Sequence, residues 1–176
     1  MKAHSTDTRK LILLSLFTAL VVVMQCIPIK IGVFELALSV PIMIIGAAIC
    51  GPLAGVWLGL VFSVVVLFLP GTAGFLSFHT FGTILTVIAK GTLAGLVAGV
   101  VYKALERKNR YLAAIVSAVL ATVTNTGIFL VGSLIFFAGD IATVIGVFIS
   151  FNFLIELTVN VALTPTAVRV INMKKR

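Results

Sequence analysis

Apolar residues run along this chain in long blocks, at about 10–27, 36–50, 53–69, 81–102, 111–137 and 144–168. A helix that crosses a bilayer uses about 20 apolar residues, so the pattern predicts an all-α membrane protein of six transmembrane helices joined by short loops. The second and third blocks are divided only by Gly51-Pro52. Proline removes a backbone donor and disfavours helix in the residue before it, so the break falls there and makes two short helices meeting in a tight turn.

Composition supports that solvent. Hydrophobic residues make up 61% of the 176 positions and charged residues 10%, and the mean hydropathy is +1.27. A soluble domain carries about 25% charged residues. Six spans with short loops use nearly the whole length, so residues 1–176 read as a single integral membrane domain with no room for a separate catalytic one.

The net charge of +8 would suggest nucleic acid in a soluble protein. Here position matters more than sum. Eleven of the 13 basic residues fall on one side of the predicted helices: Lys2, Arg9 and Lys10; Lys103, Arg107, Lys108 and Arg110; Arg169, Lys174, Lys175 and Arg176. Only Lys30 and Lys90 fall elsewhere. Basic loops stay in the cytoplasm, so both termini are expected there, and the Gly51-Pro52 turn with them. The first apolar block has the order of a signal peptide, but it ends at Met24-Gln25-Cys26 without a small-residue cleavage site, and reads as an uncleaved helix. Bulky Gln25 also argues against lipid attachment at Cys26. That cysteine and Cys50 are expected near opposite ends of their helices, too far apart for a disulfide.

One internal similarity stands out. Gly51, Gly55 and Gly59 recur at four-residue spacing, as do Gly91, Gly95 and Gly99 forty residues later. Each set forms a glycine ridge on one helix face, where small residues let helices approach closely in lipid.

Ionisable side chains inside a bilayer cost about 2.5–3.5 kcal/mol each unless they find partners or water. Lys90, in the middle of the fourth helix, and Glu156, in the middle of the sixth, are the two such residues. Asn152, Glu156, Asn160 and Thr164 form a strict four-residue series that lays polar groups along one face. His79, Thr83, Thr86 and Lys90 form a second, weaker stripe, and the fifth helix adds Thr122, Asn125 and Thr126, with Phe129 and Ser133 further along the same side. Two readings stand. Lys90 and Glu156 neutralise each other while the asparagines tie helices together, or these groups converge on a polar ligand cavity. The segment Pro70–Thr80 mixes glycines with Phe75 and Phe78, which suits either an outward aromatic lid over a ligand or an interfacial anchor. His79 alone reads more simply as a capping or interface residue. It has no second histidine or cysteine at metal-ligand spacing.

There is no GxxxxGK[ST] phosphate loop, no HExxH and no GxSxG, so neither ATP hydrolysis nor intramembrane hydrolysis is expected, and no cofactor is implied. A self-sufficient proton-coupled transporter or channel in which Glu156 titrates is one remaining class, and a non-transporting assembly protein held by its glycine ridges is another.

The chain resembles the S components of energy-coupling factor (ECF) transporters, the membrane subunits that capture vitamins. The resemblance rests on the six-helix layout, the first helix Leu11–Leu20, the Gly-Pro-Leu-Ala-Gly turn at 51–55 and the run Lys90–Tyr102, where many members carry arginine in place of Lys90. It implies a bacterial cytoplasmic membrane protein that works with a transmembrane coupling subunit and two separate ATPase subunits. The family's small-xxx-small docking motif on the first helix falls on Ser15 and Ala19, with serine where alanine is usual. Thr124–Gly127 followed by Gly132–Phe137 looks most like members assigned to pantothenate. Lys90 would then face the pantothenate carboxylate, with Asn125, Asn152 or Asn160 as amide or hydroxyl partners.

Overall fold

A computed structural model describes residues 2–27, 30–31, 34–35, 39–136 and 153–163, with positions 166, 168, 169 and 172. Where they are described, the apolar blocks are helical, as suits a chain to which lipid offers no backbone hydrogen-bond partner. They form α1 (Lys2–Cys26), α2 (Ser39–Cys50), α3 (Pro52–Leu67), α4 (Pro70–Phe78), α5 (Thr80–Leu105) and α6 (Arg110–Phe136), followed by α7 (Phe153–Leu163). A two-residue ladder, β1 (Lys30–Ile31) against β2 (Phe34–Glu35), pairs antiparallel with Lys30 opposite Glu35.

Among the described residues, three helices are long and apolar enough to cross a membrane: residues Thr8–Cys26 of α1, all of α5 and all of α6. The helices α3 and α4 pass the same test together but meet at a 79° bend, which brings the number to four if the pair counts as one span. At 12 residues α2 rises only about 18 Å, short of a bilayer core of about 30 Å. Its role is interior: Ser39, Val40, Pro41, Ile42, Met43, Ile44, Gly46 and Ala47 are all buried. A helix that is apolar all round belongs in such a place. On the outside the pattern inverts, with Leu53 81% and Phe68 85% exposed, as a lipid-facing surface requires.

The turn expected at Gly51-Pro52 is present. Gly51 has φ +106°, a conformation that suits glycine, and Pro52 opens α3, where its missing N–H costs nothing. The two glycine ridges pack against each other. A β-carbon at Gly55 would collide with the Gly95 carbonyl and one at Gly59 with that of Gly91, so α3 and α5 lie in backbone contact. The second long flank of α5 packs along α6. Val40 and Ile44 of α2 join Ala98, Tyr102, Ala113, Ala114, Ala118 and Ala121 in one core cluster, while Phe17, Val21, Met43, Leu58 and Phe62 fill another between α1, α2 and α3.

The segment at 70–80, for which the sequence leaves open an outward aromatic lid or an interfacial anchor, is mostly helix. Pro70 stands in the first turn of α4, and the Thr72 hydroxyl donates back to the Val66 carbonyl at 2.7 Å, which pins the bend. Cys26 and Cys50 are not joined in a disulfide. Cys50 lies beside the Lys10 carbonyl near the start of α1, with Sγ 3.8 Å from the oxygen, whereas Cys26 ends that helix.

Candidate functional site

Three helices, α5, α6 and α7, bring polar residues together near mid-length of α5, and α4 adds an aromatic ring. The order begins at the α4–α5 junction. Thr83 donates to the carbonyls of Phe75 and His79, both at 2.9 Å, and so folds α4 back onto the start of α5. The Nδ1 atom of His79 accepts from the Gly82 N–H at 2.9 Å, capping α5, and its ring lies 5.2 Å from that of Phe136. His79 is thus bound into the helix start, while Phe75 points toward α6 and meets Phe129 edge to face at 5.4 Å.

Phe129 links that aromatic pair to charge. The Lys90 ammonium sits 4.6 Å from the centroid of its ring, within the range of a cation–π contact. Close approach of α5 and α6 is set by Gly132, where a β-carbon would overlap the Thr86 side chain, and by Gly82, where one would overlap the Phe136 ring. Lys90 follows one α-turn after Thr86, and Phe129 precedes Gly132 by three residues, so the ammonium and the ring are brought together by the same seam.

From α7, Glu156 and Asn160 enter the cluster. Glu156 is 4% exposed and Asn125 6%. The Asn125 side chain hydrogen-bonds the Glu156 carboxylate, on which the Lys90 charge also acts through space. Asn125 does this through its amide N–H, because its Oδ1, like Glu156 Oε1, has no hydrogen-bond partner among the described residues. One turn along α7, Asn160 donates from Nδ2 to the Thr122 hydroxyl at 3.1 Å, fastening α7 to α6. The stripe read from sequence at 156 and 160 therefore faces the stripe at 122 and 125. Asn152 and Thr164 lie outside the described residues.

The structure brings together Lys90, Asn125, Glu156 and Asn160, with Phe75 in contact through Phe129. From sequence Phe129 is only a neighbour on the same side of the helix; its spacing of four from Asn125 is the signal that places it in the cluster. Among the described residues, no group of three or more His, Cys, Asp or Glu side chains is placed to hold a metal. Ser15 and Ala19 are elsewhere, exposed on α1 beside Leu11, Ile12, Leu16 and Leu20, on a helix that packs against α2 and α3.

Comparison with curated proteins gives no match, and comparison with solved structures gives none. A sequence model described as ECF transporter, substrate-specific component, matches residues 9–168. That span includes both glycine ridges and every residue of the cluster, and the chain belongs to the family of ECF transporter substrate-specific components.

Proposed function

We propose that the chain captures one small, polar, vitamin-like molecule at the cluster of Lys90, Asn125, Glu156, Asn160 and the Phe75–Phe129 pair. The family's members are substrate-binding transport subunits rather than enzymes, and the ATPase is a separate subunit. The observation that carries the site is the meeting of a lysine from α5 and a buried glutamate from α7 beside an asparagine whose oxygen has no hydrogen-bond partner among the described residues. A structural ion pair needs none of the surrounding amide and aromatic groups. A ligand site uses all of them.

Pantothenate is the first cargo to test. Its carboxylate suits Lys90 and its hydroxyls and amide suit Asn125 and Asn160, with Asn152 a further partner. Folate and riboflavin follow. Mass spectrometry of small molecules released from the purified, ligand-saturated chain identifies the cargo, and a phosphorylated or cationic vitamin there would overturn pantothenate.

In this reading the chain crosses the bacterial cytoplasmic membrane six times with both termini inside, supported by the one-sided distribution of eleven basic residues. Ser15 and Ala19 meet the transmembrane coupling subunit through the small, exposed strip of α1, and two ATPases power release. A second reading rests on Glu156: a buried carboxylate, one of whose oxygens has no partner among the described residues, is also what a proton-coupled transporter would use. Reconstitution of the chain alone separates them. Binding without transport favours the S component, and ion-driven uptake without ATPases favours the rival.

A further inference from the structure

Hydrogen-bond donors and acceptors are unevenly left over in this bundle. Many of the hydroxyls on its long helices return their proton to a backbone carbonyl of the same helix: Ser63 to Gly59, Thr92 to Ile88, Thr124 to Leu120 and Ser133 to Phe129. The Asn160 amide is taken by Thr122, and the Asn125 amide by Glu156. What remains at the centre of the cluster, beside the Lys90 ammonium, is a pair of acceptors. Glu156 Oε1 and Asn125 Oδ1 are buried, belong to two side chains already bonded to each other, and have no donor among the described residues. The Lys90 ammonium rests over the Phe129 ring and acts on the carboxylate through space.

An acceptor buried without a donor costs about 1–3 kcal/mol, and two adjacent ones repel any ligand that brings only lone pairs. From this we infer that the cargo presents two neighbouring hydrogen-bond donors, hydroxyl or N–H, to Glu156 Oε1 and Asn125 Oδ1, and that these donors decide selection. The inference rests on reading the cluster as the capture site and deepens it. A carboxylate on the cargo contributes attraction at Lys90, but the acceptor pair discriminates. Carboxylates of similar size without donors are refused because they leave both oxygens unpaired in a place where water is scarce. Sites built to bond a substrate hydroxyl or N–H reject analogues lacking it far more strongly than apolar pockets reject a missing methylene.

The test is isothermal titration of the full chain, purified in detergent, with pantothenate, riboflavin and folate as donor-bearing probes and nicotinate and lipoate as carboxylates without hydroxyl or N–H donors. The best donor-bearing probe is then compared with its analogue in which the donors are replaced by hydrogen or methyl. The expected result is that a donor-bearing probe binds and its analogue is weakened about a hundredfold or more. In Glu156→Gln, which keeps the side-chain shape and replaces one acceptor oxygen by an amide, the gap between probe and analogue shrinks about tenfold. Equal binding of probe and analogue, or tighter binding of nicotinate or lipoate, overturns the inference and leaves the capture site standing. Absence of binding by every probe overturns the capture site itself, and the inference with it.

Discussion

Gly59 of α3 lies against the backbone carbonyl of Gly91 of α5, leaving no space for a β-carbon on either residue. Gly55 and Gly95 repeat the contact one turn away. Backbone meets backbone along this seam, so dispersion contacts hold the helices without any hydrophobic drive from lipid. The seam also positions Lys90. Gly91 directly follows Lys90, so clamping one face of α5 to α3 fixes the rotation that turns the lysine toward α6.

Enlarging the seam is therefore costly. In Gly95→Ala the added methyl meets the Gly55 carbonyl, which no rotamer change can move, and we expect a loss of about 1–3 kcal/mol, read as a lower thermal unfolding midpoint in detergent. Gly74→Ala is the control, since nothing lies within 4 Å of its would-be β-carbon. Equal midpoints for the two variants would show that the seam carries no stability.

Much of this arrangement was legible beforehand for physical reasons. Long apolar runs leave the chain no alternative to helix, and Gly51-Pro52 leaves it no alternative to a break. The stripes at 122, 125, 156 and 160 announced a shared interior, and the glycine ridges announced close packing, although not that they pack on each other. Local chemistry hid the rest. Pro70, Gly71 and Gly74 look like a loop, yet Pro70 at the first helical turn and the Thr72 bond to Val66 start α4. His79 keeps the spacing of the polar stripe with Thr83, Thr86 and Lys90, but its ring nitrogen caps α5, which periodicity does not distinguish from facing a cavity. Phe129 gained its role only when α5 brought an ammonium over its ring.

Lys90→Met removes the charge and keeps most of the volume. If the ammonium meets the cargo, affinity falls by about 1–3 kcal/mol in titration calorimetry. Lys90→Arg keeps both the charge and the contact with the Phe129 face, so it is expected to retain most of the affinity. Unchanged affinity in Lys90→Met would remove the lysine from the site.

Phe129→Leu breaks two contacts at once, the edge-to-face pair with Phe75 and the cation–π contact with Lys90. Together these are worth about 1–2 kcal/mol, and the loss should appear in ligand affinity as well as in thermal stability. Phe75→Leu removes only the aromatic pair and is expected to cost less. A larger effect of Phe75→Leu on affinity would mean that Phe75 touches the cargo directly.

His79 separates capping from recognition. His79→Ala loses the acceptor for the Gly82 N–H and should lower stability by about 1 kcal/mol, whereas His79→Asn restores a good cap and much of that loss. Ligand affinity is expected to follow stability in both variants. Loss of affinity in His79→Asn with stability retained would return His79 to the binding residues.

The proposed docking strip is separable from the proposed capture site, because Ser15 and Ala19 are exposed on α1 while the cluster is built from α4, α5, α6 and α7. The Ser15 hydroxyl already donates to the Leu11 carbonyl at 3.0 Å, so it presents a small, satisfied surface rather than a free polar group. That surface suits close helix approach, and a bulky residue there holds the partner helix off. Ala19→Leu is therefore expected to leave the purified chain's ligand affinity unchanged while abolishing co-purification with the coupling subunit and ATP-driven uptake in proteoliposomes. Ser15→Ala, which keeps the small volume, should transport normally. If Ala19→Leu still assembles and transports, α1 is not the docking face, and its exposed apolar side serves only to meet lipid.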